Sequence, residues 1–229
     1  MKSWCLSKPS ARFVAKMEDV LAVYQRPYDP LRPVVCLDEK SKELHATPHG
    51  GLPPEPGRAR REDYEYERHG TRNLFLWVEP LTGRRRVCVT ERRTAMDFAG
   101  QLRSLVDAYP QAEQVVLVTD NLNTHAASCL YEAFAPEEAR RIAQKIEWHY
   151  TPEHGSWLNM AETELSVLGR QCLNRRIADA ATLAREVSAW QERRDRAQTP
   201  IRWQFTAQDA RIKLWRLYPQ TQQNNLTKH

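Results

Sequence analysis

The segment VVLVTDNLNTH, from Val115 to His125, constrains the fold more than any other stretch of the chain. Its four leading apolar residues predict a short strand buried inside a sheet. The run then stops at Asp120, and a lone carboxylate at the tip of an interior strand is costly to desolvate. We therefore interpret Asp120 either as an ordinary strand-end residue or as a ligand for a positively charged group.

The segments around this strand predict an alternation of strands and helices. Strand patterns are VVCLDE, the hairpin NLFLWVEP-LTG-RRRVCVTE, and IEWHY. Helix patterns are FVAKMEDVLAVY, TAMDFAGQLRSLVDAYP, HAASCLYEAF, SWLNMAETELSVLGRQCL and DAATLAREVSAWQERRD, the last with Asp179 as its N-cap. This order predicts a mixed α/β layer with a central sheet.

Composition excludes several classes of protein. The chain has 229 residues, of which 41% are hydrophobic and 28% are charged, as in a globular protein with its own core. Its apolar runs are only strand-sized, so we expect no membrane span. The N-terminus lacks the apolar core of a signal peptide, which predicts a cytoplasmic location. Five scattered cysteines without a CxxC pair indicate reduced thiols rather than a disulfide framework or a zinc site.

The positive charge is concentrated near the C-terminus. The net charge is +5, and eleven Lys and Arg residues stand against five Asp and Glu residues between Gly169 and Arg216. Such a stretch fits a polyanionic partner such as a nucleic acid. A solvated helix face is the alternative interpretation.

Two predicted strands end at an acidic residue, Asp38 in VVCLDE and Asp120 in VVLVTD. If these strands are neighbours, the two carboxylates lie side by side and repel each other unless a cation lies between them. Ligation by oxygen atoms alone suits Mg²⁺ or Mn²⁺. Glu39 alternates to the opposite face of its strand and is therefore a poor ligand.

The helix that follows TPEHGSW offers a third acid, Glu162 or Glu164. At about 100° per residue the two glutamates lie about 200° apart, so both cannot face one metal ion. Periodicity alone does not choose between them. Three carboxylates around one or two divalent ions are typical of sites that carry out in-line displacement at phosphorus.

The strings VVCLDEKSKEL, VTDNLNTH and YTPEHGSWLNMAE resemble the three acidic motifs of DDE transposases. The bacterial insertion-sequence branch (the IS-six-thirty group), in the superfamily that includes mariner, is the most similar. The resemblance implies an RNase H-like (retroviral integrase-like) mixed sheet flanked by helices. It also implies that Asp38, Asp120 and Glu162 are catalytic residues that bind Mg²⁺ or Mn²⁺, which selects Glu162 over Glu164.

The same resemblance implies a metal-dependent endonuclease and strand transferase. Such an enzyme cuts DNA at transposon ends and joins the freed 3′-hydroxyl to target DNA, typically at a TA dinucleotide. Its expected setting is a homodimer in a synaptic complex, in the bacterial cytoplasm near the nucleoid. The predicted domains are an N-terminal helix and linker (1–30), an RNase H-like DDE catalytic domain (31–198) and a C-terminal basic tail (199–229).

Full-length relatives carry helix-turn-helix modules before the catalytic core, whereas this chain starts almost at the core. We therefore expect a truncated copy or the second half of a split frame, without specific end recognition of its own. Two alternative functions remain open. One is a plain RNase H-like nuclease, which would nick without joining, and the other is a decayed, non-catalytic nucleic-acid-binding fragment.

Further polar residues are candidates for contacts with DNA. Asn121, Asn123 and His125 either orient the scissile phosphate or a water next to the metal ligands, or form a turn and helix cap. The remaining candidates are arginines in a Pro-rich loop and in the basic stretch, namely Arg58, Arg60, Arg61, Arg175 and Arg176.

Overall fold

The computed structural model describes residues 10–48, 55–59, 61, 64–122 and 125–219. Five strands form one sheet in the order β3-β2-β1-β4-β5, with β1, β4 and β5 parallel and β2 and β3 antiparallel. The strands are β1 (Val34–Ala46), β2 (Glu67–Glu79), β3 (Arg84–Thr90), β4 (Val115–Thr119) and β5 (Ile146–Tyr150). The helices are α1 (Ala11–Tyr24), α2 (Ala95–Ala108), α3 (Ser128–Ala133), α4 (Pro136–Gln144), α5 (Met160–Leu168), α6 (Ala180–Arg196) and α7 (Ala207–Lys213).

Helices cover both faces of the sheet because its central strands are apolar on both sides. Cys36, Leu76 and Val118 point to one face, where they belong to a core shared with α1, α5 and α6. The alternate residues, such as Leu37 and Leu117, point to the other face and pack against α2, α3 and α4. The predicted mixed α/β layer is therefore confirmed.

Strand β1 is much longer than the VVCLDE segment that the sequence predicts. It pairs in parallel with β4 only from Val34 to Cys36, but its antiparallel pairing with β2 continues to Ala46. The polar second half remains a strand because β2 satisfies its backbone and because Leu44 is buried against the helices. The prediction that the strand stops next to Asp38 is therefore wrong.

The predicted hairpin between β2 and β3 turns at Gly83, where φ is +73°. A Cβ atom at Gly83 would also lie 2.6 Å from the carbonyl oxygen of Thr199, so both conformation and space require glycine. The backbone N–H of Ile201 donates to the carbonyl of Pro80 at 2.8 Å. The chain after α6 is thus fixed against the tip of the hairpin.

Side chains of α6 cover the outer edge of β3. The side chain of Gln191 accepts the backbone N–H of Val87 at 2.9 Å, and Asp195 accepts that of Arg85 at 3.3 Å. Asp179 caps the start of this helix by accepting the N–H of Thr182, as predicted.

The N-terminal helix contributes to the core, since Met17, Val20 and Leu21 are fully buried in the cluster that contains β1. Ala210 of α7 is buried in the same cluster. The predicted boundaries near residues 30 and 198 stay a prediction. In the part of the chain that is described, no helix is long and apolar enough to cross a membrane.

A buried ion pair joins the sheet to α5 and α6. Glu164 is only 1% exposed, and its carboxylate lies 2.9 Å from Nε of Arg85, whose side chain is fully buried in β3. Arg194 of α6 donates two hydrogen bonds of 3.1 Å to the same carboxylate. Removing one partner of such a cluster leaves buried charge uncompensated.

Glu164→Gln should therefore lower the free energy of unfolding by about 3 kcal/mol, because two arginines lose their carboxylate. Urea unfolding of the metal-free protein measures this change. Glu162→Gln, two residues away on the exposed side of α5, is the matched control and should stay within about 0.5 kcal/mol of the wild type. Equal stability of the two variants would contradict the assigned role of Glu164.

Candidate active site

The register of the sheet brings Asp38 and Asp120 to equivalent positions. Cys36 of β1 lies opposite Val118 of β4 in the parallel pairing. Asp38 comes two residues after Cys36, and Asp120 comes two residues after Val118. Asp38 is held within β1 by the pairing of that strand with β2, whereas Asp120 is the first residue after β4. The two predicted acids therefore leave neighbouring strands at the same level.

Asn159 fixes the start of α5 against this point of the sheet. Its side chain is fully buried, and its Nδ2 donates to the carbonyl of Leu37 at 2.9 Å. Its Oδ1 accepts the backbone N–H of Ala161 at 3.0 Å and thereby caps the helix. The first turn of α5, which contains Glu162, is thus tied to the residue that precedes Asp38.

Asn159 has a positioning role that the sequence reasoning missed. An asparagine directly before a helical pattern is a typical N-cap, and this signal was available. Its second hydrogen bond, to Leu37, joins residues that are far apart in sequence and has no local signature.

The predicted carboxylates act on one another electrostatically. Burial and the negative charges of Asp120, Glu39 and Glu162 together raise the pKa of Asp38 to about 7, against the hydrogen bond from the backbone N–H of Glu39, which lowers it. Asp120 and Glu162 therefore both lie within electrostatic range of Asp38. Their donor atoms are all oxygen, the set that Mg²⁺ and Mn²⁺ prefer. Within the described ranges, however, no three His, Cys, Asp or Glu side chains are placed so that they could hold a metal ion together.

The two glutamates of α5 have different surroundings. Glu162 is exposed, and its side chain makes no hydrogen bond or ion pair with the described part of the chain, so it is free to turn toward Asp38. Glu164 is buried and is held by Arg85 and Arg194. Glu164 is therefore engaged in an ion-pair cluster, whereas the side chain of Glu162 is available, and the role of Glu162 as a ligand stays a prediction.

His125 links Asp120 to the opposite face of the sheet. Its Nδ1 is hydrogen-bonded to Asp120, and its Nε2 lies 3.3 Å from a carboxylate oxygen of Glu39. The ring is 2% exposed and stacks on Phe98 with a centroid distance of 4.1 Å. Burial lowers the pKa of His125, but the two carboxylates outweigh this effect and raise it to about 9. His125 is therefore positively charged at neutral pH.

The other polar residues near the two aspartates differ in their positions. Asn121 is exposed next to Asp120, and Asn123 lies outside the described residues. Glu39 points away from Asp38 toward His125, as strand alternation predicts, and its side chain is buried.

The predicted DNA-binding arginines do not form one cluster. Arg58 and Arg61 are exposed, and Arg60 lies outside the described residues. Arg175 forms an ion pair with Glu186. The guanidinium of Arg176 donates to the backbone carbonyls of residues 64 and 65, so it holds the segment before β2 in place.

The raised pKa of Asp38 predicts an inverse dependence of stability on pH without metal. The folded protein keeps a proton that the unfolded chain, with a pKa near 3.9, releases, so this group lowers the free energy of unfolding as pH rises from about 4 to about 7. At pH 8, Asp38→Asn should be more stable than the wild type by at least about 1.4 kcal/mol, the equivalent of one pKa unit. Urea unfolding in EDTA measures the difference.

Two comparisons serve as controls for this experiment. At a pH near 4 the gap between wild type and Asp38→Asn should close, because both side chains are then neutral. Mg²⁺ should stabilise the wild type at pH 8 more than the variant, since an ion that binds only the folded state stabilises it by mass action. A variant that is no more stable than wild type at pH 8 would overturn the description of Asp38 as a strained carboxylate.

Comparison with solved structures shows similarity in fold to the Mos1 mariner transposase. The paired end complex with Mn has a TM-score of 0.53 at 15% identity, over 87% of this chain and 64% of that chain. The paired end complex with Mg has a TM-score of 0.55 at 16% identity, over 96% of this chain and 67% of that chain. The Strand Transfer Complex has a TM-score of 0.52 at 16% identity, over 87% and 63%.

At these identities the likeness shows the fold, so the RNase H-like mixed sheet is confirmed. This chain spans about 64% of the length of the Mn complex's transposase chain. No curated protein sequence matches the chain. The family model described as DDE superfamily endonuclease matches residues 33–184, a range that contains Asp38, Asp120 and Glu162. The chain belongs to the DDE endonuclease superfamily.

Proposed function

We propose that this chain is the catalytic part of a transposase, which cuts DNA strands and joins the freed 3′-hydroxyl to a target. The observation that carries the proposal is the electrostatic coupling of Asp38 to both Asp120 and Glu162. Three elements that are distant in sequence bring these carboxylates together, and their repulsion favours the binding of a cation. Membership in the DDE endonuclease superfamily supports the same chemistry.

The three carboxylates are the proposed ligands of Mg²⁺ or Mn²⁺. Divalent ions at such a site would activate the attacking hydroxyl and neutralise the leaving oxygen during in-line displacement at phosphorus. Asp38 provides a rigid ligand because its backbone is paired within β1. Glu162 provides a mobile ligand on the exposed face of α5, which completes the site by rotation of its side chain.

His125 is the proposed positioning residue for Asp120. Its buried, charged ring fixes one carboxylate oxygen of Asp120, while Glu39 and Phe98 hold the ring itself. Asp120 follows the end of β4 and lacks the strand pairing that holds Asp38, so a side-chain partner is needed to orient it. A contact between Asn121 and DNA stays a prediction.

The solved structures with this fold are described as paired end complexes with Mn or Mg and as a strand transfer complex. By analogy, the proposed substrates of this chain are transposon ends and a target DNA, with TA as the target dinucleotide. The proposed assembly is a homodimer that holds two DNA ends together.

Glu162→Gln should abolish metal-dependent strand cleavage because it removes the charge of the third ligand. A loss of at least about 100-fold is expected, since even outer partners of metal ligands contribute 10–100-fold. Conversion of supercoiled plasmid to open circles in Mg²⁺ or Mn²⁺ measures cleavage. Incubation of the same plasmid with duplexes that carry a free 3′-hydroxyl measures joining.

Glu137→Gln is the matched control, because Glu137 is an exposed glutamate in the first turn of α4 and lies outside the proposed site. It should cleave like the wild type. Full activity of Glu162→Gln would show that the third ligand is misassigned. Cleavage by the wild type without any joining would instead favour a plain RNase H-like nuclease.

His125→Ala should raise the Mg²⁺ concentration needed for half-maximal cleavage by about 10–100-fold, the usual effect of losing a residue that orients a metal ligand. High Mg²⁺ should restore much of the rate, because the ligands themselves remain. His125→Gln keeps a donor for Asp120 and should recover part of the metal affinity. An unchanged Mg²⁺ dependence in His125→Ala would reduce His125 to a packing residue on Phe98.

A further inference from the structure

A positively charged groove starts beside the carboxylate site and runs past the π-helical turn at 169–173, which follows α5. It consists of two clefts of about 420 and 310 Å³ that share Arg170 and Asn174 in their walls. The first cleft lies between the second half of β1 and the π-helical turn at 169–173, and the second lies between that turn and α6. Together their walls contain five Lys and Arg side chains and one carboxylate, Glu186.

Lys40 connects this groove to the site. It lies two residues after Asp38 on the same strand, so both side chains leave the same face about 7 Å apart. Lys40 is exposed, and its side chain makes no hydrogen bond or ion pair with any described residue. A Cβ atom at Gly169 would lie 3.4 Å from Nζ of Lys40, so the absence of a side chain there leaves the ammonium room beside the helix.

Lys42, the next lysine on this face, has a different role. Its Nζ donates to the backbone carbonyls of Leu173 and Arg175 at 2.8 and 2.9 Å. These bonds attach the end of the π-helical turn to β1 and use two of the three donors of Lys42. Lys42 therefore holds the groove wall, whereas all donors of the Lys40 ammonium are available for a ligand.

Further along the groove, two arginines have no acidic partner among the described residues. Within that part of the chain, the guanidinium of Arg170 donates only to the neutral hydroxyl of Ser166. Arg193 is exposed, and within the residues described it forms no ion pair. A row of free cations separated by neutral polar side chains matches a polymer with regularly spaced negative charges, such as a nucleic-acid backbone.

We propose that the groove from Lys40 through Arg170 to Arg193 binds the phosphodiester backbone of the DNA strand next to the phosphate that is cut. This assignment rests on the proposed function, because it takes the carboxylate site as the point of cleavage. Lys40 contacts the phosphate nearest to Asp38, and the two arginines follow the strand away from the site. Such contacts fix the register of the strand without reading its sequence.

The test compares DNA binding by the full chain and by the triple variant Lys40→Gln, Arg170→Gln, Arg193→Gln. Binding of a fluorescent duplex is measured by anisotropy over a range of salt concentrations, in EDTA so that no cleavage occurs. Each lost phosphate contact should reduce the slope of log K against log salt by about 0.9. The triple variant should therefore lose about 2 to 3 from that slope, alike on unrelated sequences.

Arg140→Gln is the control for a loss of positive charge elsewhere, because Arg140 is exposed on α4, which packs on the opposite face of the sheet. It should change the slope by less than any single groove substitution. A triple variant with the slope of Arg140→Gln would overturn the proposal. Displacement of DNA by polyglutamate at equal charge concentration would also overturn it, because the groove would then be a general anion surface.

The single variant Lys40→Gln separates this proposal from the assignment of the catalytic site. If the wild type fails to cleave plasmid while the groove variants still show a reduced slope of log K against log salt, the groove binds DNA but the proposed catalytic function is wrong. If the wild type cleaves and Lys40→Gln binds DNA with the wild-type slope, the catalytic assignment stands and Lys40 does not contact the strand.

Discussion

The two hydrogen bonds of the Asn159 side chain are the constraint on which the geometry of the site depends. One bond caps α5 and the other holds the cap against the carbonyl of Leu37. A fully buried amide is costly to leave unpaired, so the helix start and the strand have to keep this relative position. The placement of Glu162 near Asp38 follows from it, although the side chain of Glu162 is exposed and forms no hydrogen bond or ion pair with the described residues.

The region around Asp38 combines strain and support. Burial and the negative charges of its neighbours raise the pKa of Asp38, whereas Glu164 is held by two arginines and Asp120 by His125. Functional sites commonly trade stability for reactivity in this way. The residues that hold Glu164 and Asp120 belong to different elements of the fold, so no single contact stabilises this region alone.

Much of the fold could be predicted because it follows from local patterns. The hairpin at Gly83, the cap at Asp179 and the buried strand that leads to Asp120 each have a signature within a few residues. The three acids were predicted from the resemblance of their motifs to those of known transposases, and the superfamily match spans all three, but their role as ligands stays a prediction.

What the sequence could not supply depends on partners far along the chain. The length of β1 is set by its pairing with β2, because the polar residues after Glu39 carry little apolar signal of their own. The choice between Glu162 and Glu164 depends on Arg85, which is distant in sequence. Likewise, Lys40 and Lys42 look equivalent in the sequence, and only the π-helical turn at 169–173 distinguishes them.

The cover that α6 provides for β3 has a consequence for assembly. An open strand edge offers unpaired N–H groups to any passing strand and is a common route to aggregation or to sheets that continue across two molecules. Here Gln191 and Asp195 already occupy the outward N–H groups of Val87 and Arg85. A second molecule therefore cannot extend the sheet at β3 without first displacing α6, and copies of this chain that associate have to do so through another surface.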